Sequence, residues 1–405
     1  MVKAAMEMEK RGMKIPLLTG GAATSKVHTA VKVAPLYSGI TVHVRDASQA
    51  VTVVNSLMNP NTREKFEQNI KENYSETRKM HEASQGEINY LDIISARKRK
   101  FSVDYKNEVR TYPDKIGVNV INNISDKDLI KNINWTRFFN NWGLKGTYPD
   151  IFRKESVGIE AKKLFDDANQ ILNKLIDSNL ISKRAVTGFF PALANGDDIE
   201  IYKDDKSRNP IAVFHFLRQQ TKLETSDYNL ALSDFIAPIT NSQIDYIGAF
   251  ALSVKVRDEN NPYIKEIKDD NYNYLIYKNL LNQLAEAFAE ELHNYINKNI
   301  LLSSGKEPVT WGIRPAFGYP SCPDHSEKRI LFNLLEVEKN IGSKLSETCM
   351  MIPESSICGL YLFNKNVHYF GLGKIKPDQL EDYAKRKNTS VSDVEKFIGN
   401  IVVLS

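Results

Sequence analysis

Residues 1–58 alternate helical stripes with short apolar strands, and the alternation supplies only two strands. Helical spacing puts Val2, Met6 and Met13 roughly on one side of the first segment. Ile15-Pro16-Leu17-Leu18-Thr19 follows as a short apolar run, closed by Gly20-Gly21. Ser25 can cap a helix carrying Val27, Ala30, Val31 and Ala34 on one face. Thr41-Val42-His43-Val44 alternates as a strand, and residues 47–58 read as a further helix ended near Asn59-Pro60. Helix–strand–helix–strand–helix is the grammar of a doubly wound parallel sheet. Such a sheet is buried on both faces, and two strands cannot form one. The expectation is a partial α/β, Rossmann-like domain, with the chain beginning inside it or leaning on another domain.

A polar stretch follows. Asn61 with Glu64 makes a capping box, and Phe66, Ile70 and Tyr74 give a thin apolar stripe that fades into residues 82–85. The expected organisation is a first domain over residues 1–75, a linker over 76–85 and a large domain over 86–405.

The large domain reads as α+β. Ala161, Leu164, Phe165, Ala168, Leu172, Leu175 and Ile176 share one helical face, and so do Leu281, Leu284, Ala285, Phe288, Leu292 and Tyr295. Residues 186–191 and 199–202 read as strands around Asn195-Gly196, a strong hairpin signal. Residues 212–217 and 247–254 are further strands. Asp324 and Glu327 box-cap a helix that runs to Gly342 as its C′ glycine. Residues 357–363 and 368–372 read as a hairpin around 364–366, and a helix pair fills 377–398. Strands joined by hairpins predict a largely antiparallel sheet.

Composition excludes several classes. The 405-residue chain is 42% apolar and 26% charged, which fits a globular protein and not a disordered or fibrous one. No run reaches the roughly 18 apolar residues of a membrane span, and the start lacks a signal peptide's apolar core. The expectation is a soluble, cytoplasmic protein. Three cysteines, Cys322, Cys349 and Cys358, are too few for a disulfide framework and lack metal-ligand spacing. His325, after Cys322-Pro323-Asp324, does not complete a metal site. Net charge is +4, with Lys+Arg 54 against Asp+Glu 50, so no nucleic-acid footprint stands out. The basic run Arg97-Lys98-Arg99-Lys100 reads as a solvated linker.

Chemistry can sit in a few places. Gly20-Gly21-Ala22-Ala23-Thr24 lies between a strand and a helix, where backbone amides can cradle a polar ligand; a plain tight turn fits the same residues. Arg314-Pro315-Ala316-Phe317-Gly318-Tyr319-Pro320 is a proline-framed loop. It can hold an Arg fork for a carboxylate and offer backbone groups to a purine, or be a structural loop with a surface Arg. Glu286 lies at the rim of its helix's buried face. Tyr369-Phe370 read as strand residues, one facing the core and the other free to cover a ligand.

At these residues the chain resembles the C-terminal part of cobalamin-dependent methionine synthases. The carrying motifs are Asn134-Trp135-Thr136-Arg137-Phe138-Phe139, Val186-Thr187-Gly188-Phe189-Phe190-Pro191-Ala192, Asp245-Tyr246-Ile247-Gly248-Ala249-Phe250 and Leu284-Ala285-Glu286-Ala287-Phe288-Ala289-Glu290. The most diagnostic is Arg-Pro-Ala-x-Gly-Tyr-Pro-x-Cys-Pro-x-His over residues 314–325. Residues 1–58 look like the end of the cobalamin-binding domain, and residues from about 86 onward like the S-adenosylmethionine-binding reactivation domain.

The resemblance implies a repair reaction. Oxidised, inactive cob(II)alamin is returned to methylcobalamin with an electron from flavodoxin or a diflavin reductase and a methyl group from S-adenosylmethionine. It further implies that the cobalt-ligating loop, the folate domain and the zinc-binding homocysteine domain lie upstream, with no nucleic acid or membrane among the partners. Arg314 matches the family's carboxylate-binding Arg. Ala316, Gly318 and Tyr319 of the same loop, with Tyr369 and Phe370, match positions lining the ligand. Glu286 matches a helix carboxylate near its amino-acid end. Gly20, Gly21 and Ala47 match cobalamin contacts. No residue is assigned as catalytic or as a metal ligand.

Two departures stand out. Asn134 replaces the family's usual Asp and brings no charge to the ligand's ammonium. Residues 298–310 are shorter than usual and lack the expected aromatics. The two function classes are a methyltransferase's reactivation part and a non-catalytic S-adenosylmethionine-binding module that docks a flavodoxin-type reductase.

Overall fold

The computed structural model of the chain describes residues 1–20, 25–44, 47–84, 89–105, 111–122, 124–222, 226–241, 243–303, 309 and 312–403. These divide into two units, Met1–Asn89 and Tyr90–Ser405.

The first unit contains helix α1 (Val2–Lys10), strands β1 (Leu17–Gly20) and β2 (Thr41–Val44), and helices α2 (Ala47–Met58) and α3 (Pro60–Ser84). The two strands pair in parallel, with Leu17 opposite Thr41 and Gly20 opposite Val44. A Cβ on Gly20 would lie 2.5 Å from the carbonyl oxygen of Val44, so the strand contact itself requires glycine there. Ser25 caps the next turn as expected, accepting from the backbone N–H of His28. Val42, Val44, Val53 and Leu57 form a small core, and Phe66 and Ile70 of α3 pack on it.

The cap of α3 is Asn59 rather than Asn61: the Asn59 side chain accepts from the Asn61 N–H at 3.0 Å, and Pro60 takes the first helical position. Residues 76–84, expected as linker, continue this helix. Two contacts tie its later turns down: the Tyr74 hydroxyl accepts from the His43 N–H at 2.8 Å, and Arg78 donates to the Ala30 carbonyl at 3.0 Å.

The second unit is α+β. In chain order it places β3 (Gly117–Ile121), α4 (Trp135–Asn141), α5 (Gly158–Asp177), β4 (Ile181–Asn195), β5 (Asp198–Ile201), β6 (Ala212–His215), β7 (Asp245–Val256), α6 (Asn271–Asn299), α7 (Lys328–Leu334), β8 (Ser356–Tyr361), α8 (Pro377–Arg386) and α9 (Val391–Ile398). The main sheet has the order β8-β7-β4-β5-β6, with β3 also pairing β4. Every pairing in it is antiparallel. The Asn195-Gly196 hairpin forms as predicted, with Asn195 opposite Asp198 and Gly196 at φ 64°.

Alternation along β4 sorts its side chains to two faces. Ala185 and Phe189 pack with Leu164 and Leu172 of α5 and Leu284 and Phe288 of α6. Val186 and Phe190 pack on the other side with Leu331 of α7 and Leu335. A third cluster joins Leu217, Leu372 and Ile375 to Leu380, Tyr383, Val394 and Ile398 of α8 and α9.

Three expectations are corrected here. Residues 368–372 are not a strand: β8 pairs with β7, and after a turn at Asn364 the chain leaves the sheet, with the Leu372 N–H donating to the Pro320 carbonyl at 2.9 Å. The helix expected up to Gly342 breaks at Glu336, which has φ 46°, and resumes as Val337–Ile341 before Gly342 caps it at φ 73°. The basic run is no solvated linker. Arg97 donates to Asp197 at 2.7 Å and makes a two-pronged contact with Asp382 of α8, while Arg99 donates to the Asn229 side chain at 2.9 Å.

Candidate functional site

The proline-framed loop is built against the β8 edge. Ile313 bridges to Leu362, and the Leu360 N–H donates to the Pro315 carbonyl at 2.9 Å. The loop closes on itself through Gly318 N–H to the Cys322 carbonyl at 2.8 Å and Tyr319 N–H to the Ala316 carbonyl at 3.1 Å. Gly318 has φ 98°, and a Cβ there would lie 2.1 Å from the His325 ring. Only glycine meets both demands without strain.

This loop aims Arg314 at α6. Its guanidinium donates to the Ala289 carbonyl and to the Glu290 carboxylate, each at 2.5 Å. Glu286 stands one turn before Glu290, at the spacing that puts both on one side of the helix. Opposite, Asn134 caps α4 by accepting from the Arg137 N–H at 2.9 Å, and the Arg137 guanidinium pairs with Glu286 at 3.0 Å.

Between these elements lies a cavity of about 620 Å³, bordered by Arg137, Glu286, Arg314, Tyr319, Tyr369 and Phe370. A recess of about 300 Å³ adjoins it, with Asn282, Gln283, Lys328, Glu354 and Ser355 among its polar lining. Arg137, Glu286, Ala316 and Tyr319 border both spaces. The volumes suit a drug-sized, partly polar ligand.

Six of the expected residues thus come together: Glu286, Arg314, Ala316, Tyr319, Tyr369 and Phe370. Tyr369 is 62% exposed, while Phe370 packs against the second core. Their opposite sidedness survives although neither lies on a strand. Two expected residues border neither space. Gly318 builds the turn, and the Asn134 side chain is committed to its helix cap. Of the positions expected to touch cobalamin, Gly21 lies outside the described residues, Gly20 is accounted for by its contact with Val44, and Ala47 opens α2. Within 298–310, the described Leu301–Ser303 pairs with Thr111–Pro113.

Beneath the Arg314 contacts, the His293 ring stacks on Tyr361 at 5.7 Å. Burial and the nearby Arg314 charge lower its pKa to about 4, so it is neutral at pH 7. Burial pushes the Cys322 and Cys358 thiols up to about 12, which leaves them inert as nucleophiles. Among the described residues no three His, Cys, Asp or Glu side chains gather as metal ligands, and no helix is long and apolar enough to cross a membrane.

Residues 126–388 match the family described as vitamin B12 dependent methionine synthase, activation domain. The chain belongs to this family. A solved structure described as the MetH reactivation domain bound to AdoHcy is similar over 78% of this chain and 99% of its own, at 38% identity and a TM-score of 0.72. The antiparallel sheet and its flanking helices are thus those of a reactivation domain.

In this activation domain the charged partners of two site residues do not stand out from the sequence: Arg137, which borders the cavity and pairs with Glu286, and Glu290, which pairs with Arg314. Arg137 lay inside the quoted Trp-x-x-Phe-Phe motif, three residues after its Asn cap. Glu290 lay four residues after Glu286 on the same helix face. Helical spacing could have found both, but which rim of α6 meets the proline loop is decided by the sheet.

Proposed function

We propose that the cleft binds S-adenosylmethionine and presents its sulfonium methyl for transfer during repair of the enzyme's inactive state. The observation that carries this is the placement of Arg314 on a preorganised loop at one wall of the large cavity, with Glu286 on α6 at another. A cation and an anion on separate rigid elements suit the carboxylate and ammonium of a bound amino acid. The exposed face of Tyr369 and the half-buried Phe370 offer flat surfaces to the adenosyl part. The family match supports the same reading.

In that reading the chain's residues hold and orient the donor. Arg314 meets the carboxylate with its unused donor positions, Glu286 meets the ammonium, and the tyrosines limit water at the sulfonium. The carbon–sulfur bond breaks, the methyl leaves as a cation equivalent, and the thioether S-adenosylhomocysteine remains. Cobalamin, held by the complete enzyme, supplies the acceptor for that methyl group. The one electron that the repair consumes is proposed to come from a flavodoxin-type reductase docking on the complete enzyme.

Calorimetric titration with S-adenosylmethionine tests the binding. Saturable one-to-one binding is expected, with methionine and adenosine each far weaker alone. Absence of binding would overturn the reading.

A further inference from the structure

We infer that Arg137 sets the cleft's selectivity between a sulfonium ligand and its thioether. The inference rests on the proposed S-adenosylmethionine site and goes beyond it. Among the described residues, the charged side chains bordering the large cavity are Arg137, Glu286 and Arg314. Arg314 is already paired with Glu290. Glu286 is therefore the one carboxylate facing the cavity, and Arg137 neutralises it at 3.0 Å.

The ligand's charge makes this matter. S-adenosylmethionine carries a carboxylate, an ammonium and a sulfonium, and is a net monocation. S-adenosylhomocysteine lacks the sulfonium charge and is neutral overall. With Arg314 matched by Glu290 and Glu286 matched by Arg137, the wall gives no favourable field to the extra cation. A wall in which Glu286 stood without Arg137 would. Asn134, at the start of the same helix, adds no negative charge to offset Arg137. Arg137 thereby equalises substrate and product, and the thioether product should compete well for the site.

The pair is open to water, with the Arg137 and Glu286 side chains 52% and 39% exposed. The effect is therefore moderate, since partly solvated charges act through a high effective dielectric. The position of Arg137 at the border of both spaces lets it act on a ligand in the cavity while its backbone stays in the α4 cap.

The test is a comparison of ratios. The unmodified chain, Arg137→Gln and Arg137→Lys are each titrated calorimetrically with S-adenosylmethionine and S-adenosylhomocysteine. In the unmodified chain the two dissociation constants should lie within about threefold of each other. Arg137→Gln should raise the preference for the sulfonium about fivefold, and raising salt should shrink that gain. Arg137→Lys keeps the charge and should leave the ratio within about twofold of the unmodified chain. An unchanged ratio in Arg137→Gln overturns the inference. So does an equal weakening of both ligands, which would place Arg137 on the shared carboxylate or in the fold. If the unmodified chain binds neither ligand, the proposed site itself falls, and this inference with it.

Discussion

The backbone N–H of Arg314 donates to the Tyr369 hydroxyl at 3.0 Å, although 55 residues separate them. This bond joins the proline-framed loop to the irregular segment beyond β8. It also fixes the Tyr369 ring beside the cavity, where the ring is otherwise largely exposed. Tyr369→Phe removes the acceptor and keeps the ring. The expected result is about fivefold weaker S-adenosylmethionine binding, near the value of one ordinary hydrogen bond of about 1 kcal/mol. The melting temperature should hardly move, because an exposed hydroxyl contributes little to the core. A large stability loss with unchanged affinity would show that the bond serves the fold alone.

Gly318 tests the turn. At φ 98°, with the His325 ring 2.1 Å from any added Cβ, alanine meets both backbone strain and a clash. Gly318→Ala should destabilise the domain by about 1–3 kcal/mol and displace Arg314 and Tyr319 together. Urea unfolding and ligand titration measure the two effects separately. Wild-type values in both would mean that the loop is not the rigid frame described above.

A buried charge cluster holds α8. Lys387, with a side chain only 12% exposed, donates to Glu327 at 2.5 Å and to Asp324 at 2.6 Å. Both carboxylates are almost fully buried. The Lys387 charge holds the Asp324 carboxyl below its usual range against the opposing effect of burial. Lys387→Met leaves two carboxylates uncompensated and should cost about 3–5 kcal/mol in denaturant unfolding. The mutant should lose less at low pH, where the carboxylates protonate. A loss below about 1 kcal/mol would mean that water reaches the cluster freely.

His293 gives the domain an acid sensitivity with a defined sign. Its folded pKa, about 4, lies below the ordinary histidine value of 6.5, first because it is buried and then because Arg314 is near. Between those values the unfolded chain binds the proton and the folded chain does not. Stability should therefore fall as pH drops from about 6.5 toward 4, with no further contribution from this group below that. Thermal melts of wild type and His293→Gln across that window check it. Parallel pH profiles for the two chains would remove His293 from the account.

Much of the second unit was legible because its signals are local. The stripe from Leu281 to Tyr295 fixes α6, Asn195-Gly196 fixes a hairpin, and Gly342 marks a helix end in the left-handed region. Non-local choices were not legible. The segment around Tyr369-Phe370 alternates like a strand, yet its Leu372 N–H donates to the Pro320 carbonyl and its Gly371 carbonyl accepts from the Gln219 side chain, rather than either pairing with a sheet neighbour. The helix after Asp324 reads as continuous, yet it breaks at Glu336, between Leu335 and Val337 of the second core. Arg97 looked solvated because Asp197 and Asp382 are distant in sequence. At the site, the proline loop and Glu286 were visible, whereas the Arg137–Glu286 and Arg314–Glu290 pairs depend on how α4, α6 and the loop meet.

The most direct measurement is the S-adenosylmethionine dissociation constant of Arg314→Ala beside that of the unmodified chain, by isothermal calorimetry. In the free protein the guanidinium is held by Glu290 and the Ala289 carbonyl, so ligand binding must share or exchange those bonds. The expected loss is about 2–3 kcal/mol, or roughly 30- to 150-fold in affinity, with the domain still folded by circular dichroism. Equal dissociation constants for the two chains would contradict the account, because they would mean that the cleft's central cation does not touch the ligand.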